Sequence, residues 1–218
     1  MTIATPTGSR AGRAASPIEE ALARAAVVPL TVGQYQRMIE QGILPEDGGV
    51  ELLRGVPVRK DRSVSGEDPM GHSPLHRLIV ALLTKLAARI DSDARHVQVQ
   101  LPIVCSADSA PEPDAAILWG TPRDYAERLP AAGDVSCVIE AAHGSLGRDR
   151  EDKLPLYAAA GVPQYVIVNL QNQTVEVYGD PDPAGRQYRT RATVERGGTM
   201  ELRLPEGMFP VAAADLSP

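Results

Sequence analysis

The sequence predicts one mixed α/β domain over residues 29–218. The full length of 218 residues is enough for one to two domains of roughly 150 residues. Two short apolar runs, 114–119 and 135–142, are typical of central strands that are covered on both faces. Helical and strand patterns are interspersed along the chain, and 19 glycines with 19 prolines favour many short elements.

Residues 1–28 are expected to form a disordered N-terminal segment. The stretch from Met1 to Pro17 is rich in Thr, Ala, Ser, Gly and Arg and has no apolar period. The run from Pro17 to Ala26 has the composition of a helical turn or two, but it lacks bulky side chains to anchor it.

The first predicted elements of the domain are a short helix and a β-hairpin. Thr31 and Gln34 have the spacing of a capping box, which predicts a helix that ends before Gly42. The runs 50–53 and 56–59 predict two strands joined by a tight turn. Basic residues cluster in this hairpin and the loop after it, namely Arg54, Arg59, Lys60 and Arg62. They fit contacts with a phosphate backbone, although a solvated surface loop is the commoner explanation.

The clearest helical pattern begins at Ser73, the predicted N-cap, with Pro74 in the first turn. Apolar residues then recur at close to the helical period: Leu75, Leu78, Ile79, Leu82, Leu83, Leu86 and Ile90. Further strands are predicted at 96–101, 114–119, 135–142, 164–168, 174–178, 188–194 and 200–204. A helix is predicted over 149–160, with a kink or a later start because Pro155 lies inside it.

The composition excludes several classes of protein. No apolar run approaches the ~18 residues that a membrane-spanning helix needs, and nothing at the start has the pattern of a secretion signal. Cys105 and Cys137 lie among aliphatic residues, which is typical of buried thiols in a reducing cytoplasm. A net charge of −6 disfavours a protein that coats nucleic acid non-specifically, but it leaves room for a local basic patch.

Two acidic residues lie where a charge is costly. Asp114 begins one apolar strand, and Glu140 lies inside another. A carboxylate in a central strand must be paired, protonated or bound to a cation. If the strands are neighbours, both carboxylates and the Ala141 carbonyl converge on one hard cation, Mg²⁺ or Mn²⁺. The alternative is a salt bridge to Lys153 or Arg150 without a metal.

A lysine follows these acids on the next predicted helix. Lys153 lies four residues after Asp149, so the two share a helix face. Its ammonium group fits a role in stabilising the charge of a phosphoryl transition state or in orienting the attacking water. An ordinary ion pair on the helix surface is the alternative.

Motifs spread over residues 30–216 resemble a known family. They include Pro111-Glu112-Pro113-Asp114, Val138-Ile139-Glu140, the spaced series Ser145, Asp149, Lys153 and Tyr157, and Gly161-Val162-Pro163. In this order they resemble the Uma-two family of restriction endonucleases, part of the PD-(D/E)XK nuclease superfamily. The resemblance implies a restriction-endonuclease-like α/β core, in which a mixed β-sheet is flanked by helices. It also implies metal-dependent hydrolysis of phosphodiester bonds.

The resemblance implies roles for individual residues. Asp114 and Glu140 match the two acids of the superfamily and are the expected metal ligands. The lysine expected two residues after Glu140 is replaced by Ala142, and Lys153 on the following helix takes the basic role. Glu51 matches an early acid of the family and is a further candidate for holding the metal or orienting the water. We therefore expect Asp114, Glu140, Lys153 and Glu51 to be catalytic.

Four further positions bear on the same site. Gln100 matches a strand glutamine of the family, and His76 matches a position in its long helix, so both are expected to line the cleft. For His76, a helix-start histidine bonded to a loop is an equal alternative. His143 and Asn169 depart from the family pattern, in which a short acidic or polar residue and an aspartate are common.

The expected function is that of a divalent-metal-dependent endonuclease, with Mg²⁺ or Mn²⁺ as cofactor and nucleic acid as substrate, DNA in preference to RNA. By analogy with other nucleases of this fold, a homodimer would place one site on each strand. The alternative is a non-catalytic nucleic-acid- or protein-binding module that retains the fold. Ala142, Asn169 and the negative net charge leave room for that alternative.

Overall fold

The computed structural model describes residues 17–24, 28–45, 49–60 and 74–217. Arg62, Ser73 as helix N-cap and most of segment 1–28 lie outside these residues. Within that segment, Pro17–Arg24 forms helix α1, in the run whose composition is that of a helical turn or two. Ile18 packs against the core and supplies the anchor that the sequence pattern did not indicate.

Helices and strands are interspersed along the chain. The other helices are α2 (Val32–Glu40), α3 (Pro74–Ile90), α4 (Leu146–Arg148) and α5 (Leu154–Ala159), with a π-helical turn at Asp149–Lys153. The strands are β1 (Val50–Leu53), β2 (Val56–Arg59), β3 (Arg95–Val99), β4 (Ala115–Trp119), β5 (Val135–Ala142), β6 (Gln164–Asn169), β7 (Thr174–Asp182), β8 (Gln187–Glu195), β9 (Thr199–Leu204) and β10 (Gly207–Ala212). In the described part of the chain, no helix is long and apolar enough to cross a bilayer.

Six of the strands form the central sheet, in the order β3-β4-β5-β6-β7-β8. Strands β5 and β6 pair in parallel, and every other neighbouring pair in this sheet is antiparallel. The parallel pair requires a crossover, which the helical segment from α4 to α5 provides. Helix α3 packs on one face through Ile79, Leu83 and Leu86. Helix α5 packs on the other through Leu156 and Tyr157, so the predicted mixed sheet flanked by helices is confirmed.

Two hairpins complete the fold. In the β1–β2 hairpin, Arg54 and Gly55 both have positive φ angles, of 52° and 77°, as a tight hairpin turn requires. Leu52 and Ala110 exchange backbone hydrogen bonds of 3.3 and 2.8 Å, which attach this hairpin to the chain before β4. The second hairpin pairs β9 with β10, and the sequence patterns do not indicate β10 because Pro210 interrupts its apolar run.

The helical segment after β5 begins earlier than the sequence predicts. It starts at Leu146, and the π-helical turn Asp149–Lys153 ends where the N–H of Leu154 donates to the carbonyl of Asp149. Pro155, which has no N–H to donate, lies in the first turn of α5, where that loss costs least. Lys153 is the last residue of this widened turn, and its side chain is buried.

Asn169 has a structural role in the turn after β6. Its side-chain oxygen accepts the N–H groups of Gln171 and Asn172, both at 3.2 Å, in the turn that joins β6 to β7. An aspartate offers the same acceptor atoms in this position.

Replacing Asn169 tests this role. We expect Asn169→Ala to lower the free energy of unfolding by about 0.5–1.5 kcal/mol, because two N–H groups of the turn lose their side-chain acceptor. Asn169→Asp should retain most of the stability. Urea denaturation of both variants measures the difference, and equal losses in the two would contradict the role of the side-chain oxygen.

Candidate active site

A cluster of buried charges lies on the face of the sheet that α5 covers. It contains four carboxyl groups and two ammonium groups: Glu51, Asp114, Glu140, Asp149, Lys60 and Lys153. Each of these six residues exposes less than a tenth of its side-chain or total surface to solvent. Since buried charges are costly unless they are paired, the arrangement of these six groups decides what the site can do.

Lys153 lies at the centre of the cluster. Its Nζ atom is 2.8 Å from Oε1 of Glu140 and 2.9 Å from Oε2 of Glu51. The hydroxyl group of Tyr157 donates to the same Oε1 of Glu140 at 3.0 Å, and the N–H of Glu112 donates to Oε2 of Glu51 at 3.1 Å. Lys153 therefore links strand β5 of the central sheet to strand β1 of the hairpin.

Asp114 joins the cluster from the residue that precedes β4. Because Ala115 pairs with Ile139, the antiparallel register places Asp114 beside Glu140 on one face. Its Oδ2 atom accepts the N–H of Ala141 at 2.8 Å, and its Oδ1 atom lies 3.1 Å from Nζ of Lys60. Burial raises the pKa of Asp114, but Lys60 and the Ala141 N–H outweigh burial and hold this pKa below its usual value.

The structure brings together the four residues expected to be catalytic and adds Lys60 and Asp149, which were not among them. Lys60 is buried against Asp114, so the interpretation of its neighbourhood as a solvated loop is wrong for this residue. Asp149 is also buried, and its Oδ2 atom accepts the hydroxyl group of Ser145 at 2.7 Å. The four-residue spacing of Ser145, Asp149 and Lys153 is the signal that pointed to Asp149. A surface ion pair for Lys153 is therefore excluded.

The salt-bridge alternatives for Glu140 have a mixed outcome. The pair with Lys153 is present. Arg150 instead binds Glu176 on β7, so it is not the partner of Glu140. The single positive charge of Lys153 balances one negative charge of the cluster. The remaining carboxylates need other partners.

The cluster carries more negative than positive charge. With every group ionised, its four carboxylates exceed its two ammonium groups by two charges. Burial raises the pKa of Glu140 to about 8; Lys153 opposes this rise, and the carboxylates of Asp149 and Asp114 add to it. Burial lowers the pKa of Lys153, but Glu140 and Glu51 outweigh burial and raise it well above its usual value. The ammonium group of Lys153 therefore stays charged.

The donor atoms of the cluster fit a hard divalent cation. Asp114 and Glu140 offer carboxylate oxygens, and Oε1 of Glu51 is buried with no hydrogen-bond partner among the described residues. Within the described ranges, no three Asp, Glu, His or Cys side chains are grouped tightly enough to enclose a metal ion. Mg²⁺ keeps several waters and is commonly held by one or two carboxylates, so a pair of acids meets its requirement.

The remaining predicted positions contribute less. Gln100 follows β3 with a φ angle of 52°, and its backbone N–H donates to the carbonyl of Asp114 at 3.2 Å. The backbone of Gln100 therefore lies beside the site. His76 is the third residue of α3, and its side chain lies outside the part of the chain that the structure describes. His143 is partly exposed and follows the end of β5.

The mixed sheet with helices on both faces is a restriction-endonuclease-like α/β fold, in which Asp114 directly precedes β4 and Glu140 lies in β5. The model of the Uma2 family, described as "Putative restriction endonuclease", matches residues 32–212. The chain belongs to this family, which confirms the resemblance read from the motifs.

A solved structure has a similar fold. It is described as a "putative nuclease belonging to DUF820" from Anabaena variabilis ATCC 29413 and is 17% identical in sequence. The match covers 86% of this chain and 97% of that chain with a TM-score of 0.58. At this identity the likeness shows the fold. No protein of curated function matches the sequence.

Removing Lys153 tests the electrostatic argument. Lys153→Met should lower the free energy of unfolding by about 3–5 kcal/mol, because Glu140 and Glu51 are left buried without their cation. In the double variant Lys153→Met with Glu140→Gln, part of this loss should be recovered, since one stranded charge is gone. Urea denaturation measures both values. If the double variant is no more stable than the single one, Lys153 does not hold Glu140 by charge.

Proposed function

We propose that this protein is a divalent-metal-dependent nuclease that hydrolyses phosphodiester bonds, with DNA as its preferred substrate. The observation that carries the proposal is the buried set of Asp114, Glu140 and Lys153, in which the lysine reaches the strand acid from the following helix. The family and the fold both support a nuclease. The family description as a restriction endonuclease favours DNA over RNA.

Each residue has a part in the proposed reaction. Asp114 and Glu140 would hold Mg²⁺ or Mn²⁺, which when bound supplies positive charge at the phosphate and lowers the pKa of a water molecule. Lys153 holds Glu140 and Glu51 in place and contributes a fixed positive charge to the site. Oε1 of Glu51, which has no hydrogen-bond partner in the described part of the chain, is available to accept a hydrogen bond from the attacking water.

Basic residues at the end of the β1–β2 hairpin support binding of a phosphate backbone despite the net charge of −6. Arg148 donates to the backbone carbonyl of Arg59 at 2.8 Å, so both arginines lie next to Lys60 at the border of the cluster. Contacts of this kind position nucleic acid without reading its sequence.

Cleavage of supercoiled plasmid DNA with Mg²⁺ tests the proposal. Asp114→Asn and Glu140→Gln should each lower the rate at least about a hundredfold, because several kcal/mol of charge stabilisation are lost with the cation. Asp215→Asn removes an acid of similar type that is half exposed and paired with Arg89 at 2.7 Å, and it should cleave like the wild type. Undiminished cleavage by the two site variants would contradict the assignment, and faster cleavage of RNA would overturn the preference for DNA.

A homodimer is part of the same proposal. Two-fold symmetry would place one site on each strand of a duplex, which gives double-strand breaks. Light scattering should then give a mass twice the 23.2 kDa of the chain, with linear plasmid as an early product. A monomer that only nicks the plasmid would contradict the dimer and leave the nuclease assignment intact.

The burial of the cluster favours a second candidate, a binding module that retains the fold without catalysis. Lys60 and Lys153 already neutralise Asp114 and Glu140 within the protein, as a purely structural ion cluster would.

Titration calorimetry with Mn²⁺ separates the two candidates. A metal-dependent nuclease should release or absorb heat on binding Mn²⁺, and Glu140→Gln should abolish that signal because a ligand is lost. Asp215→Asn is again the matched control. Binding of nucleic acid by a wild-type protein that gives no Mn²⁺ signal would favour the non-catalytic module.

A further inference from the structure

Lys60 is a buried group of the cluster that has no part in the proposed hydrolysis. It directly follows strand β2, and its side chain is 8% exposed. Its Nζ atom forms an ion pair with Oδ1 of Asp114 at 3.1 Å but makes no hydrogen bond of good geometry to any described residue. An ammonium group has three N–H donors, so within the described ranges most of the donors of Lys60 have no acceptor.

The backbone at Lys60 is held more firmly than its side chain. The Lys60 N–H donates to the carbonyl of Gly49 at 2.5 Å, and the preceding carbonyl, of Arg59, accepts from Arg148. A lysine side chain has four flexible methylene groups. The ammonium group can therefore change partners while the hairpin stays in place.

Lys60 and Lys153 differ in how they are bound. Lys153 contacts two carboxylates, at 2.8 and 2.9 Å, and its removal would strand both. Lys60 contacts one carboxylate through the oxygen that remains open, since the other oxygen of Asp114 accepts the N–H of Ala141. The open oxygen is the best-placed site on Asp114 for a cation, and a cation bound there would repel the ammonium group next to it.

We propose that Lys60 is a built-in counter-ion of Asp114 that a divalent cation displaces, and that the released ammonium group then contacts a phosphate of the nucleic acid. This inference rests on the proposed function, because it requires a divalent cation at Asp114. The exchange keeps every charge paired, because the cation binds Asp114 and Lys60 forms an ion pair with a phosphate that enters the site.

Titration with Mn²⁺ alone tests the displacement. Lys60→Gln should bind Mn²⁺ about tenfold more tightly than the wild type, because the competing charge is gone. Lys60→Arg should bind Mn²⁺ more weakly, since a guanidinium group holds a carboxylate through two hydrogen bonds. Lys85→Gln makes the same change at an exposed lysine of α3 and should bind Mn²⁺ like the wild type. Thermal unfolding followed by circular dichroism verifies that each variant is folded.

The affinity for duplex DNA at several salt concentrations tests the second half of the exchange. With Ca²⁺ as an oxygen-bound cation, Lys60→Gln should reduce the slope of log affinity against log salt by about one unit, the value for one lost phosphate contact. Without a divalent cation, the slopes of Lys60→Gln and the wild type should coincide, because Lys60 remains on Asp114.

The outcomes distinguish this inference from the proposed function. Mn²⁺ binding by Lys60→Gln that is no tighter than that of the wild type would refute displacement. Equal salt slopes in the presence of Ca²⁺ would refute the phosphate contact. If neither protein binds Mn²⁺, the proposed function itself is wrong and the inference falls with it.

Discussion

The structure depends on the burial of Lys153 between two carboxylates. A lone ammonium or carboxylate group in the protein interior costs several kcal/mol. The folded state therefore requires Glu140 and Glu51 to lie within ion-pair distance of Lys153, as they do. These contacts join three separate parts of the chain: the hairpin strand β1, the central strand β5 and the helical segment after it. The same requirement that stabilises the fold therefore assembles the candidate site.

The position of Lys153 is a consequence of backbone geometry. In the superfamily pattern that this chain resembles, the basic residue lies two positions after the second acid, on the same face of the strand. Here that position is Ala142, which is buried in the core. Side chains two residues apart on a strand point the same way, so a lysine there would point to the face that holds Glu140. The π-helical turn after β5 instead brings Lys153 to that face from the helical layer.

The charges of the cluster connect its structure to its proposed activity. Glu140 and Asp114 lie side by side, and burial raises the pKa of Glu140 while Lys60 keeps the pKa of Asp114 low. An excess of negative charge in the protein interior is unfavourable, and a divalent cation would offset the two excess charges of the fully ionised cluster. In this view the two lysines have different roles. Lys153 holds Glu140 and Glu51 in position, and Lys60 is the exchangeable partner of Asp114.

Local patterns in the sequence were enough to predict the central strand β5 to the residue, the capping box of Thr31 and Gln34, and the costly positions of Asp114 and Glu140. Hydrophobic periodicity and side-chain chemistry act over a few neighbouring residues, so they can be read from the chain directly. The burial of Lys60 could not be read in this way, because it depends on the docking of a hairpin onto a segment more than fifty residues away. Tertiary structure decided that contact, since the free energy of a buried charge is set by groups that only folding brings within a few ångströms.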